Sequence, residues 1–238
     1  MAGLEPIDHR DTDWERVRSQ LDERGFVLLP GVLTTKNCNE ISGYYDDDRR
    51  FRSRIDMTRF SFGRGEYKYF SYPLPEIVEQ LRSSIYPKLA PLANQWAMRL
   101  GSKAPPYPDE LADFIKRCHR AGQKRPTPLL LKYGAGDYNC LHQDLHGAIV
   151  FPFQVTFFLN ERGRDFDGGE FVLSEQRPRQ QSRIEVLSPQ QGDAIIFSVH
   201  HRPVQGTRGY YRANLRHGVA TIHSGHRCTL GIIFHDAK

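Results

Sequence analysis

The sequence is poor in several features that would assign it to common classes. Only four cysteines occur in 238 residues, Cys38, Cys118, Cys140 and Cys228, and no two form a CxxC pair. That spacing argues against a zinc cluster or disulfide framework and suits a reducing cytoplasm. No run approaches the roughly 18 apolar residues of a membrane span, so no membrane partner is expected. Met1 to Asp13 is acidic and polar and lacks the apolar stretch of a signal peptide. There is no internal repeat and no low-complexity tract. Hydrophobic residues are 39% and charged residues 26%, a globular rather than disordered composition. A chain of this length buries roughly 70–75% of its unfolded surface and needs no covalent staple to fold.

The formal net charge of +5 hints at an anionic partner. The excess is unevenly placed. Residues 1–46 hold nine acids against five bases. Residues 49–68 hold seven bases (Arg49, Arg50, Arg52, Arg54, Arg59, Arg64, Lys68) against Asp56 and Glu66. Phe51, Phe60, Phe62 and Tyr67 interleave with them. Such a mixture suits a surface that touches phosphates and stacks bases, so residues 49–72 are a candidate nucleic-acid contact. A solvated, charged connection explains the same composition.

Helices come first. Asp13-Trp14-Glu15 opens one that should end near Gly25. Phe26–Leu29 is a short apolar strand closed by Pro30-Gly31. Thr34 or Thr35 caps a second helix running towards Tyr45. A longer one starts at Pro75-Glu76, with Ile77, Leu81, Ile85, Leu89, Leu92 and Trp96 at helical spacing. Pro87 and Pro91 should kink or divide it. A further short helix runs from Asp109 to Arg120. After Pro128 the pattern changes to strands: 129–131, 153–159, 169–173, 184–187, 194–197, 218–222 and 230–234, with one more near His142. Eight short strands with regular turns predict a barrel or a two-sheet jelly roll. The order, helices before strands, predicts an α+β fold with helices backing one face. The expected organisation is a helical support region, 1–127, and a β core, 128–238, in a single compact domain.

His142-Gln143-Asp144 is the informative segment. On a strand edge, positions i and i+2 point to one side, so an imidazole and a carboxylate converge. A second histidine would complete the two-histidine, one-carboxylate set that leaves open positions on Fe(II). His217, at the start of a predicted strand, is the best third ligand. His200, His201, His223, His226 and His235 are alternatives, each explained as well by a loop or surface position. His146 can be a neighbour of the site or face the substrate. Arg227 follows His217 by ten residues, where its fork can hold a distant carboxylate. Cys140 and Cys228 read as small buried residues, and Arg202 and Arg208 as solvated loop charges.

These residues carry a resemblance. Tyr133-Gly134-Ala135-Gly136 before His142-Gln143-Asp144, then Asp167-Gly168-Gly169-Glu170-Phe171, Gln191-Gly192-Asp193-Ala194, and His217 with Arg227 resemble the Fe(II)/2-oxoglutarate-dependent oxygenases of the prolyl-hydroxylase-like branch. Arg202-Pro203-Val204-Gln205-Gly206, Arg216-His217-Gly218-Val219 and Phe234-His235-Asp236 are similar to a bacterial branch labelled nucleic-acid oxygenases. The resemblance implies a double-stranded β-helix (jelly roll), with Fe(II) as metal and 2-oxoglutarate and O2 as cosubstrates. It implies iron binding and catalysis at His142, Asp144 and His217. Arg227 would pair with the far carboxylate of 2-oxoglutarate, and Tyr133 would donate a hydrogen bond to it. Phe157 and Phe158 stand where prolyl hydroxylases often place a tyrosine, so Gln154 or Thr156 would substitute. The Arg-x-Asn-x-Thr-x-Arg signature of AlkB-type dealkylases is absent. The implied reaction is hydroxylation or oxidative demethylation, of an alkylated nucleic-acid base or, alternatively, of a protein side chain such as proline.

Overall fold

In the computed structural model, which describes residues 12–238, local signals set the helix ends. The polar Met1–Asp13 leader lies, up to residue 11, outside the described residues. Asp13 caps α1 (Trp14–Arg24) by accepting from the Arg16 N–H at 3.0 Å. Gly25 ends it at φ 80°, a left-handed conformation that glycine adopts without steric cost. Thr34 caps α2 (Thr35–Gly43) in the same way. Then follow α3 (Glu76–Arg99) and α4 (Leu111–Arg120). Pro87 and Pro91 were expected to kink or divide the long helix, yet α3 runs through both as one element. Each proline removes a backbone bond at a cost of roughly 3 kcal/mol. Buried Ile85, Tyr86, Leu89, Leu92 and Trp96 clamp the helix to the core on both sides of the breaks.

The strands outnumber the nine predicted, one at Phe26–Leu29 and eight after Pro128. In chain order they are β1 (Phe26–Leu29), β2 (Phe51–Asp56), β3 (Gly63–Arg64), β4 (Glu66–Phe70) and β5 (Leu129–Tyr133). Then come β6 (Tyr138–His142), β7 (Phe153–Phe158), β8 (Phe166–Gly168), β9 (Phe171–Gln176) and β10 (Arg183–Leu187). Last are β11 (Ala194–Ser198), β12 (His201–Gly206), β13 (Gly209–Val219), β14 (Ile222–Gly225) and β15 (Arg227–Ile233). The major sheet has the order β1-β11-β7-β15-β5-β4-β2, and the minor sheet β10-β9-β13-β6-β3 with β12 on β13. All pairs are antiparallel. The result is a jelly roll whose major sheet is backed by helices, as expected. The predicted strand at 169–173 begins only at Phe171, because Gly168 and Gly169 turn at φ 78° and 63°. The predicted strand at 218–222 is broken between β13 and β14. The basic stretch 51–70 is largely sheet: β2 and β4 extend the major sheet past β5.

Strand alternation divides the major sheet's two faces. Phe153, Val155 and Phe157 of β7 point to the helices, with Leu230, Ile232, Ile196 and Trp96. Phe158, Ile195 and Phe197 point the other way and meet Phe171 and Leu173 of the minor sheet. Each such side chain, fully buried, contributes about 1.5–3 kcal/mol. Arg202, read as a solvated loop charge, is instead buried on β12. Its Nε reaches Glu175 at 2.5 Å, which is what makes the burial tolerable.

The C-terminus is tied to α3 by a second buried arginine. Arg82 donates to the carbonyls of Ile233 (3.1 Å) and Phe234 (3.0 Å), to Tyr72 Oη (3.0 Å) and to Asp236 (2.8 Å). Asp236 also accepts from Tyr72 (2.9 Å) and meets His119 Nε2 at 2.8 Å.

Candidate active site

Between the two sheets lies a cavity of about 300 Å³. Its walls are built by alternation: Leu129, Leu131 and Tyr133 of β5, Gln154 and Thr156 of β7, Arg227 and Thr229 of β15, and Tyr67 and Tyr69 of β4. The facing wall is β6 and β13 of the minor sheet. There the register slips: His217 lies opposite His142, while Val219 lies opposite Asn139. β6 therefore carries one extra residue, a bulge. The bulge brings Asn139 and His142, three apart in sequence, onto the same cavity. It also leaves Cys140 exposed, not buried as expected; Cys228 is half-buried. Gly218 accommodates the bulge, since a Cβ there would stand 2.7 Å from the Asn139 carbonyl oxygen.

Cross-strand pairing sets the two imidazoles 4.2 Å apart between ring centres. Asp144 follows two residues past the end of β6. Its Oδ2 is 3.4 Å from His217 Nε2 and its Oδ1 is 3.7 Å from His142 Nε2. One donor atom from each of the three lies within 4.8 Å of the others, a spacing a single metal ion can bridge. His142 Nδ1 lies 2.7 Å from the Cys140 carbonyl oxygen. A carbonyl only accepts, so Nδ1 carries the proton and Nε2 offers its lone pair to the centre. Burial pushes His217 towards its neutral form, and the neighbouring His142 adds to that against the pull of Asp144. Burial alone would raise the Asp144 carboxyl, but the hydrogen bond from His217 and the charges of His142, His217 and His146 hold it well below its ordinary range. Two imidazole nitrogens and a carboxylate are the donor set that suits Fe(II).

The other end of the cavity is a polar pocket with empty valences. Arg227 opens β15 directly opposite Tyr133 of β5. It is 2% exposed, yet neither Nη1 nor Nη2 has a hydrogen-bond partner. Its charged head lies over the rings of Phe158 (5.2 Å) and Tyr133 (5.5 Å). Burial pushes its pKa down to about 10, so the cation persists at neutral pH. Gln154 Oε1 is likewise buried and unpartnered. Thr156 lines the same space. Burial pushes the Tyr133 phenol up to about 12, which keeps its proton; Asn139 Nδ2 donates to its oxygen at 3.2 Å. A buried guanidinium without an anion costs several kcal/mol. One empty guanidinium fork, an amide and a phenol fit a small dicarboxylate.

The structure thus brings together His142, Asp144, His217, Arg227, Tyr133, Gln154 and Thr156 on one cavity. His200 and His201 stack on each other and do not line it. His223 and His226 are exposed. His235 departs from its surface reading: it is fully buried, and its Nδ1 accepts from the Phe151 N–H at 3.3 Å. His146 lines the cavity, with Nε2 3.7 Å from Asp144. Thr229 and Asn139 were missed, and Tyr67 and Tyr69, expected only as part of the 49–72 nucleic-acid contact, line this cavity. Thr229 was findable, standing two residues past Arg227 on one strand. Asn139 was not, because the bulge breaks the alternation.

The chain is similar to known proteins. A family model, Oxygenase-NA, described as an oxygenase catalysing oxidative methylation of damaged DNA, matches residues 65–237. Two uncharacterized proteins of Mycobacterium tuberculosis are 49% identical over 168 residues, 71% of this chain and 72% of theirs. Among solved structures, a Pseudomonas putida prolyl-4-hydroxylase superposes with a TM-score of 0.57 at 13% identity, covering 94% of this chain and 99% of that one. A Burkholderia pseudomallei oxidoreductase of the 2OG-Fe(II) oxygenase family gives 0.54 at 17%, covering 96% and 93%. At such identities these likenesses establish the fold alone.

Proposed function

We propose, from the premise that this chain belongs to the Oxygenase-NA family and is an Fe(II)- and 2-oxoglutarate-dependent oxygenase, that it removes N-alkyl groups from nucleic-acid bases by oxidising them. The observation that carries the chemistry is the buried, unpartnered guanidinium of Arg227 on the cavity that also holds two histidines and an aspartate. In this reading His142, Asp144 and His217 hold the iron. Arg227 pairs with the far carboxylate of 2-oxoglutarate, the Tyr133 phenol donates to it, and Gln154 and Thr156 line its flank. Iron(II) with 2-oxoglutarate and O2 supplies an oxidant that hydroxylates a C–H bond while 2-oxoglutarate leaves as succinate and carbon dioxide. The chain's part is to bind, orient and exclude water. Leu129, Leu131 and Phe171 keep the walls apolar, and Asn139 orients the phenol.

The substrate class rests on the family description and on the planar rings of Tyr67 and Tyr69 in the cavity wall. Oxidation of an N-methyl group gives an N-hydroxymethyl group, which breaks its C–N bond to leave the free nitrogen and formaldehyde. The chemistry therefore removes methyl groups. The test is an assay for succinate and formaldehyde with iron, 2-oxoglutarate and O2 against methylated nucleosides, methylated oligonucleotides and proline-containing peptides. Equal amounts of both products from methylated nucleic acid are expected. Succinate stimulated by peptides alone would replace this substrate with a protein side chain.

A further inference from the structure

The cavity opens beside an exposed aromatic pair. Phe60 and Phe62 are 54% and 47% exposed, and their rings stack at 5.5 Å with 19° between planes. Phe62 also lines the cavity, so the pair runs from surface to interior without a break. It is fixed in place. Gly63 and Arg64 form β3 against Asn139 and Tyr138 of β6, and the Cys140 N–H donates to the Phe62 carbonyl at 2.8 Å. A Cβ on Gly63 would fall 2.3 Å from the Tyr138 carbonyl oxygen, so only glycine permits this contact. Exposed Leu145 lines the same cavity, and exposed Tyr138 and Leu141 lie on β6, the strand that pairs with Gly63 and Arg64. Solvent-facing apolar residues gathered in this way mark a binding surface.

The charge around the pair differs from what the composition of 49–68 suggests. Arg49 and Arg50 pair with Asp47, Arg54 with Glu66, and Lys68 with Asp48. Arg52 is half-buried on the Pro126 carbonyl at 2.9 Å. Two bases are left beside the rings. Arg59 reaches Asp56 only at 3.9 Å, and Arg64 has no carboxylate partner among the described residues. Both are exposed.

We propose that Phe60 and Phe62, flanked by Arg59 and Arg64, form a stacking ramp that holds single-stranded DNA and leads one base into the cavity. The proposal rests on the base-oxidation reading above. Two stacked, exposed rings offer flat faces to unpaired bases, and the two exposed cations, Arg64 and the loosely paired Arg59, meet the adjoining phosphates. A duplex keeps its base faces covered and does not fit. Most of the affinity comes from stacking and little from charge.

The test measures binding of a fluorescent single-stranded DNA, containing one N-methylated base, by anisotropy across a salt series. With two phosphate contacts, the slope of log K against log salt is expected near about −1.4, against about −5 if all seven bases acted. Phe60→Ala and Phe62→Ala are each expected to weaken binding about tenfold, with Phe60→Tyr restoring it. Thermal unfolding checks that the variants are folded. The wild type is expected to show a lower KM for the methylated oligonucleotide than for the free methylated nucleoside. Unchanged binding in both alanine variants overturns the ramp. So does equal affinity for duplex DNA, or for an unstructured peptide of the same charge. Turnover of the nucleoside with no oligonucleotide advantage overturns the ramp and spares base oxidation. Formaldehyde from neither substrate overturns the base-oxidation reading itself.

Discussion

Two arginines are buried to the same degree and do opposite things. Arg82 is 1% exposed and Arg227 is 2% exposed. Arg82 spends its guanidinium on two carbonyls, a tyrosine and Asp236. Burial alone would lower its pKa, but Tyr72 and Asp236 outweigh that and raise it. Arg227 has no such partners, and burial drags its pKa down to about 10. Since both guanidinia are buried, the difference lies in their partners. A satisfied buried charge belongs to the architecture, whereas an unsatisfied one marks the place of a ligand.

The contrast separates losses of activity from losses of stability. The largest effect is expected at the carboxylate of Asp144, a proposed iron ligand. Asp144→Ala removes 2-oxoglutarate turnover altogether, with succinate release as the readout, while the chain stays folded by circular dichroism. Next comes the Arg82 anchor. Asp236→Ala strands a buried cation and should cost about 3–5 kcal/mol in urea unfolding. Arg227→Met does the reverse in the absence of ligand: it removes an unpaired buried charge and should stabilise the chain by about 1 kcal/mol or more. A loss of stability in that variant would mean that Arg227 is structural after all.

Much of this was legible in the sequence, for physical reasons. His142 and Asp144 stand out because a short HxD at a strand edge forces convergence. Tyr133 and Arg227 prove to be cross-strand partners, as residues of one pocket should be. What escaped depends on long-range registry. The β6 bulge that admits Asn139 shows only once β13 is laid beside it. Counting charges over 49–68 overstated a basic patch because Asp47 and Asp48, just outside that window, pair with Arg49, Arg50 and Lys68. The β2–β4 hairpin was hidden because its alternation mixes charged and aromatic residues. Arg202 and Arg82 were unreadable as buried, since nothing local announces the partner that permits it.

The smallest effect is a pH dependence. The folded pKa of Arg227 lies below the ordinary arginine value, so its burial is destabilising wherever the side chain is protonated in both states. That cost is full below about pH 10 and relieved as pH rises through it. Affinity for 2-oxoglutarate should therefore be level across neutral pH and fall only above about pH 10, followed by calorimetry.

The most direct measurement is an anaerobic calorimetric titration of iron-loaded protein with 2-oxoglutarate, run on the wild type and on Arg227→Met. One 2-oxoglutarate per chain is expected for the wild type. The variant should bind it about a hundredfold more weakly, the loss of about 2.7 kcal/mol that charged hydrogen bonds of this kind carry. Equal affinity in the two proteins would contradict the assignment of the empty guanidinium to the cosubstrate.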